Sequence, residues 1–155
     1  MFKMLKKIIL IITTLILITG CEYKPIYSDS NKTDYRIIIE ELSGDKKINK
    51  FLITNLERNS QKNSDKIVKI KIDTKYTKII LAKDSAGNVT DYQSNAVATF
   101  IINQNQTSKS FTINEKFNFQ KMSDKYEEKR YENNIKRSLA TSIAHKLIIR
   151  LSIAQ

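Results

Sequence analysis

A two-residue alternation of apolar and polar side chains across Ile67–Leu81 constrains the fold of this 155-residue chain most strongly. One set of alternate positions suits a sheet core and consists of Val68, Ile70, Ile72, Thr74 and Tyr76. The intervening positions are mostly charged and consist of Lys69, Lys71, Asp73, Lys75 and Thr77. Successive side chains of a strand point to opposite faces, so this run predicts a strand with one buried and one wet face.

A strand and a short helix are predicted before this run. The β-branched segment Tyr35–Leu42 predicts the first strand, and Gly44 and Asp45 end it. The next apolar residues recur at helical spacing and predict about three helical turns. These residues are Ile48, Phe51, Leu52 and Leu56.

Two more strands are predicted after a turn at residues 84–88, where Gly87 and Asn88 tolerate a positive φ. They cover Tyr92–Ile102 and Ser108–Phe119, and both show the alternation expected of strands. The side chains predicted to face the core are Ala96, Ala98, Phe100, Ile102, Phe111, Ile113, Phe117 and Phe119.

A long helix is predicted at the end of the chain, in a segment without Gly or Pro. Ser123 and Asp124 are candidate N-caps, and Glu127 completes the spacing of a capping box. An apolar row recurs every four residues and consists of Tyr131, Ile135, Leu139, Ile143, Leu147 and Leu151. We expect this helix to cover the apolar face of Ile67–Leu81 through Leu139, Ile143 and Leu147.

The element order β-α-β-β-β-α predicts an α+β fold. Two helices and a four-stranded mixed sheet bury both apolar sets if the helices pack on one face of the sheet. The opposite face then carries lysines and stays wet or meets a partner. We therefore predict a single domain over residues 34–155.

The first twenty residues have the pattern of a secretory signal peptide. A basic start with three lysines precedes the apolar stretch Ile8–Ile18, which is shorter than the ~20 residues that span a bilayer core. Ile18-Thr19-Gly20-Cys21 follows and resembles the lipobox of bacterial lipoproteins. This resemblance implies cleavage after residue 20, lipidation of Cys21 and a tether over residues 21–33. A free cysteine after an ordinary signal peptide and an uncleaved anchor are the alternatives.

The net charge of the chain is +11, which by itself suggests an anionic partner. Three of these charges lie in the signal peptide, which contains no acid, so +8 remains after cleavage. The expected compartment is the periplasmic side of a membrane, where nucleic acid is not an expected partner. Glu22, rather than Asp, follows Cys21, and in the lipoprotein class this favours the outer membrane.

The sequence offers little that would support catalysis or a cofactor. One cysteine and one histidine, His145, do not supply a Cys-based or His-rich metal site. The chain lacks a Gly-x-Ser-x-Gly elbow and a phosphate-binding glycine loop. The adjacent glutamates, including Glu127 and Glu128, point apart on regular elements. We expect no enzymatic activity and no cofactor.

Lysines are the only candidate site residues besides Cys21. Alternation places Lys69, Lys71 and Lys75 in a row on one sheet face, which suits lipid phosphates. Further candidates for contact with lipopolysaccharide or a barrel are Lys83, Lys109 and Lys116. The alternative is a solvated face whose lysines only oppose aggregation.

The chain as a whole resembles the LptE family of lipopolysaccharide-assembly lipoproteins. The segment from Gly20 to Tyr27 is similar to the family's Gly-Cys-x-aromatic-x-Pro-Leu-Tyr start. A second motif runs from Ile80 to Asp84, includes Gly87, and ends in Asp91-Tyr92-Gln93 before an apolar strand. The third is the alanine-bearing part of the closing helix, Leu139–Leu151.

The resemblance implies a lipid-anchored subunit on the inner leaflet of the outer membrane. Such proteins plug the LptD β-barrel and help it insert lipopolysaccharide into the outer leaflet, and some bind lipopolysaccharide through basic residues. Two other functions stay open. One is a periplasmic lipoprotein that binds or carries a small lipid or anionic ligand, and the other is a lipoprotein hydrolase.

Overall fold

A computed structural model describes residues 34–104 and 107–153 of the chain. The signal peptide (1–20), Cys21 and the tether (21–33) lie outside these residues, so the predictions about them stand as predictions. Six elements follow in the predicted order. They are β1 (Arg36–Gly44), α1 (Lys46–Asn59), β2 (Ile67–Lys83), β3 (Val89–Gln104), β4 (Thr107–Gln120) and α2 (Lys125–Ile153).

The four strands form one mixed sheet in the order β1-β2-β3-β4. β1 pairs with β2 in parallel, whereas β2 with β3 and β3 with β4 are antiparallel. The parallel pair needs a crossover, and α1 provides it. This arrangement confirms the α+β fold, the mixed sheet and the two helices predicted from the sequence.

The junction between β1 and α1 is built around a glycine. Gly44 has a φ of 93°, and a Cβ at this position would collide with the backbone carbonyl of Thr74. The next residue, Asp45, donates its backbone N–H to the same Thr74 carbonyl oxygen at 3.1 Å. Its carboxylate accepts from the amides of Lys47 and Ile48, each at 2.9 Å, and so caps α1. β1 therefore leaves the sheet at Thr74 of β2.

The helices lie side by side on one face of the sheet and run in the same direction. Lys47 donates to Asn133 at 2.6 Å, and Asn55 donates to Thr141 at 3.3 Å, so both helices advance together. A single core lies between the helices and the sheet. Its largest fully buried side chains include Tyr35, Phe100, Ile48, Leu52, Leu56, Ile70, Ile72, Ile143 and Leu147.

The prediction that α2 covers the apolar face of β2 is confirmed at Tyr76, where Lys136 of α2 lies over the ring, and is wrong for the first half of the strand. The backbone of α2 approaches β4 and β3 most closely, whereas α1 lies over β1 and β2. Val68, Ile70 and Ile72 are buried as expected, but α1 supplies the nearest helix backbone over their strand. Because α1 crosses over between β1 and β2, it takes the position above them and leaves α2 the other half of the sheet.

The predicted core faces of β3 and α2 are confirmed, with smaller corrections elsewhere. Phe117 of β4 was expected in the core but is 39% exposed, since it lies on the unpaired outer strand. Tyr131, the first residue of the apolar row, is exposed rather than buried. Asp124 caps α2 through the amides of Tyr126 and Glu127, at 2.6 and 3.1 Å. Glu127 itself pairs with Arg130 at 2.8 Å.

Candidate functional site

The predicted lysine row on the outer face of the sheet is largely neutralised by acids of β1. Lys69 lies 3.3 Å from the carboxylate of Glu40, and Lys71 lies 3.1 Å from that of Glu41. A β-bulge between Ile39 and Glu41 brings both glutamates next to the lysines of β2. The row therefore offers much less net positive charge than the sequence alone predicts.

Lys75 and Lys116 complete the outer-face lysines. Lys75 lies across from Val97 and Lys116 across from Asn95, so both share the outer face with Lys69 and Lys71. Both are exposed, and in the described part of the chain neither forms an ion pair. Asp73, which accepts a hydrogen bond from Ser43, separates Lys71 from Lys75 and dilutes the positive charge further.

The remaining two lysines lie elsewhere. Lys109 lies across from Ile102, whose side chain faces the helices, so Lys109 belongs to the opposite side of the sheet from the row. The expectation that it borders the row is therefore wrong. Lys83 ends β2 across from Val89, next to a turn in which Asp84 accepts from the amide of Asn88 at 2.8 Å.

The inner face carries an ion cluster that sequence analysis did not identify. The Nζ of Lys78 lies 2.8 Å from Glu128, 3.3 Å from Glu132 and 4.0 Å from the ring centroid of Tyr92. Burial would lower the pKa of Lys78, but the hydrogen bond to Glu128 and the charge of Glu132 raise it above its ordinary value. The hydrogen bond from Lys78 in turn lowers the pKa of Glu128. The sequence contains one signal of this cluster, because Lys78 is a charged residue at a position that the alternation assigns to the core face.

A second ion pair links the two helices over β2. Lys136 lies 3.3 Å from Asp45 and 3.7 Å above the ring centroid of Tyr76. The hydroxyl of Tyr76 is 2.7 Å from that of Ser94, and burial raises the pKa of this tyrosine. Burial would raise the pKa of Asp45 too, but the Ile48 amide and Lys136 lower it overall. Both clusters are satisfied internally, which suits a structural role.

Exposed aliphatic side chains occur on the distal half of β2. Ile79 and Ile80 are each 51% exposed, and Leu81 is 48% exposed. Pairing between β1 and β2 ends at Thr74, whereas β3 continues to pair with β2 as far as Lys83. We call residues 75–83 of β2 the free edge.

A groove of about 650 Å³ lies beside β1 and α1. Ile37 and Ile39 give it an apolar part. Its lining also includes three basic residues and one acid, which are Arg36, Arg58, Lys62 and Glu57. In the described residues, His, Cys, Asp and Glu side chains form no group of three that would hold a metal ion. His145 is exposed on α2.

No helix within residues 34–104 and 107–153 is both long and apolar enough to cross a membrane. No protein-family model and no curated protein matches the sequence. Solved structures that are similar to this chain include two with lipoprotein names. Rare lipoprotein B from Shewanella oneidensis has a TM-score of 0.58 and 12% identity, over 77% of this chain and 94% of that one. A minor lipoprotein from Acinetobacter baumannii has a TM-score of 0.50 and 15% identity, over 76% and 96%. At these identities, the similarity shows a shared fold.

Proposed function

We propose that this protein is a non-enzymatic lipoprotein subunit of the outer-membrane lipopolysaccharide translocon, anchored through Cys21 and facing the periplasm. It plugs an LptD-type β-barrel, assists assembly of that barrel and helps insert lipopolysaccharide into the outer leaflet. The observation that carries the proposal is the position of the second LptE-like motif, since Ile80–Asp84 and Gly87 form an exposed hairpin. Exposed hairpins are frequent binding elements. The fold shared with rare lipoprotein B is consistent with an LptE-like lipoprotein.

Shape is the main means of recognition in this proposal, and charge is secondary. Lys69 and Lys71 are engaged by Glu40 and Glu41, so they contribute modestly to the field around the protein. Such exposed pairs alter association rate and salt dependence more than final complex formation. The twelve residues from Glu22 to Thr33 reach at most ~40 Å when extended, which places the domain within reach of a barrel lumen.

Affinity purification of the full-length protein from detergent-solubilised membranes tests the proposal. We expect a large β-barrel to copurify. Reversing the charges of Lys69, Lys71 and Lys75 together is expected to reduce barrel recovery only modestly at high salt. Removal of α2 is expected to abolish recovery, because the core and the helical surface are lost together. Failure of the wild type to recover a barrel would contradict the proposal, and loss of the barrel on charge reversal would make the lysines the primary site.

Lipidation of Cys21 is tested separately by intact-mass measurement of the membrane-bound protein. One myristoyl chain binds membranes with only about 10⁴ M⁻¹, so several chains on one residue are needed for firm anchoring. We expect a mass increase of that kind and its loss in Cys21→Ser. An unmodified Cys21 in the wild type would remove the anchor from the proposal.

A second function, binding of a small anionic lipid, is favoured by the groove beside β1. Its combination of Ile37 and Ile39 with Arg36, Arg58 and Lys62 suits an acyl chain that ends in a phosphate. Titration of the full-length protein with short-chain phosphatidic acid tests this function. Binding that Arg58→Gln weakens, and that Arg130→Gln on the exposed side of α2 does not, would support it over the barrel proposal.

A further inference from the structure

The free edge belongs to β2, which is an inner strand of the sheet and not one of its two outer strands. β1 covers β2 only as far as the Gly44–Thr74 pair, after which the chain turns away into α1. In the residues that the structure describes, β2 is then paired on one side only, with β3. Residues 75–83 therefore form an edge nine residues long, which is regular as far as Ile80 and has two register irregularities against β3 between Ile80 and Lys83.

The backbone of the free edge offers hydrogen-bonding groups toward the open side. Thr74 directs its carbonyl away from β3, because that oxygen accepts from the amide of Asp45. Positions of an antiparallel strand alternate between bonding the neighbour and facing away from it. Tyr76, Lys78 and Ile80 therefore share the outward orientation of Thr74. Their N–H and C=O groups match the requirements of an added strand.

The side chains of the free edge add an apolar surface to these backbone groups. Ile79, Ile80 and Leu81 are each about half exposed. By alternation, Ile79 lies on the outer face and Ile80 on the inner face. A strand placed alongside would cover aliphatic surface on both of its faces, which adds to the affinity from backbone bonding.

The other two edges of the sheet lack this combination. On β1, the amide of Ile37 donates to Ser60 at 2.9 Å and the carbonyl of Ser43 accepts from Asn49 at 2.9 Å, so these two backbone groups are already bonded to side chains. Such features oppose the addition of a strand. The outer-face side chains of β4 are polar and comprise Ser108, Ser110, Thr112, Asn114, Lys116 and Asn118.

We propose that the free edge binds an extended segment of another protein as a fifth strand of the sheet. The segment carries apolar side chains opposite Ile79 and Ile80 and acidic side chains opposite Lys75 and Lys83. Both lysines are exposed, and in the described part of the chain neither pairs with an acid. Opposite charges across a strand pair stabilise it by about 0.2–1 kcal/mol.

The same lysines disfavour a second copy of this chain as the occupant. An antiparallel pairing of two free edges centred on Ile79 brings the Lys75 end of each copy next to the Lys83 end of the other. The net charge of +8 that remains after the predicted cleavage adds to this repulsion. Charge placed at both ends of an apolar strand thus favours an acidic partner and rejects self-association. The proposal does not depend on the barrel function, because it identifies the partner by its chemistry alone.

Peptide binding to the full-length protein in detergent micelles tests the proposal. The probe is a nine-residue fluorescent peptide with Val at the two positions opposite Ile79 and Ile80, Thr at the other interior positions and Glu at both ends, and its control has Lys at both ends. We expect the Glu-ended peptide to bind at least about tenfold more tightly than the Lys-ended peptide. This difference in affinity should become smaller at high salt. Equal binding of the two peptides, or binding of neither, would overturn the proposal.

Ile80→Pro is the selective variant. The N–H of Ile80 faces the open side, so proline there removes a donor to the added strand and leaves the β2–β3 ladder intact. We expect at least about a tenfold loss of peptide affinity, whereas Ile80→Ala, which keeps the donor, retains more of it. Unchanged affinity in folded Ile80→Pro would exclude strand addition.

Peptide N-methylation keeps the test decisive if the proline variant does not fold. Methyl groups on the peptide residues whose amides face β2 should abolish binding, and methyl groups on the alternate residues should not. Equal effects of the two patterns would contradict an added strand. Formation of a dimer of the full-length protein that the peptide dissociates would identify a second copy, rather than an acidic segment, as the occupant.

Discussion

The two halves of β2 belong to one continuous strand but have opposite environments. Residues 67–74 lie between β1 and β3, with Val68, Ile70 and Ile72 buried beneath α1. Residues 75–83 are paired only with β3, and Ile79 and Ile80 are half exposed. The difference arises where β1 ends and α1 begins rather than within β2. Alternation therefore predicts which face a side chain takes, and tertiary context decides whether that face is covered.

Alanine substitution in each half should give the largest contrast. Ile70→Ala removes a fully buried side chain, so we expect the free energy of unfolding to fall by about 2–5 kcal/mol. Ile80→Ala is expected to change it by about 0.5 kcal/mol or less, because half of that side chain is already exposed. Urea unfolding of both variants measures the difference. Equal losses would mean that the free edge is part of the core.

Gly44→Ala should disrupt the boundary between the halves. Both Gly44 and Gly87 have a positive φ, which costs an alanine about 1–2 kcal/mol, and Gly87→Ala is the matched control because its Cβ meets nothing within 4 Å. At Gly44 the new methyl group also collides with the Thr74 carbonyl. We expect about 1–3 kcal/mol of additional destabilisation there. Equal midpoints of thermal unfolding for the two variants would show that the close approach is unimportant.

The ion pairs of Lys78 with Glu128 and Glu132 hold the start of α2 over the second half of β2. We expect them to make the stability of the protein sensitive to acid. The pKa of Glu128 is lowered from its ordinary 4.5. Its contribution to the free energy of unfolding is therefore complete above pH 4.5 and is lost as the pH falls through the lowered pKa. Glu128→Gln should lower the free energy of unfolding by about 1–2 kcal/mol at neutral pH. It should also make stability depend less steeply on pH in the acidic range. Unfolding midpoints between about pH 3 and 7 measure this. The exposed Glu127→Gln control should keep the wild-type slope.

The smallest effects are expected on the outer face. Lys69→Ala removes an exposed ion pair with Glu40, for which we expect at most about 1 kcal/mol. Lys75→Ala removes no ion pair formed within the described chain and should change the free energy of unfolding by about 0.5 kcal/mol or less. Chemical denaturation at low and high salt distinguishes the two variants, because only the first should lose its effect in salt.

Periodicity was sufficient to predict the six elements and most buried positions, because a strand or helix face is a local property. It did not predict the ion pairs of Lys69 and Lys71, which depend on the register between β1 and β2 and on a bulge. It also placed Phe117 in the core and Lys109 beside the row. Both errors arise because single-strand patterns do not specify neighbouring strands or how far a helix extends over an edge.

The position of α2 at the end of the chain has a consequence for the order of folding. The antiparallel strands β2, β3 and β4 are neighbours in sequence, so their hairpins form from local contacts. Their inner face, including Phe100 and Ile113, is covered only when α2 arrives. Because synthesis proceeds from the N-terminus, every chain passes through a stage in which the strands have been synthesised but this apolar face is still exposed to solvent. A chain interrupted before residue 125 is therefore expected to aggregate rather than persist as a smaller domain.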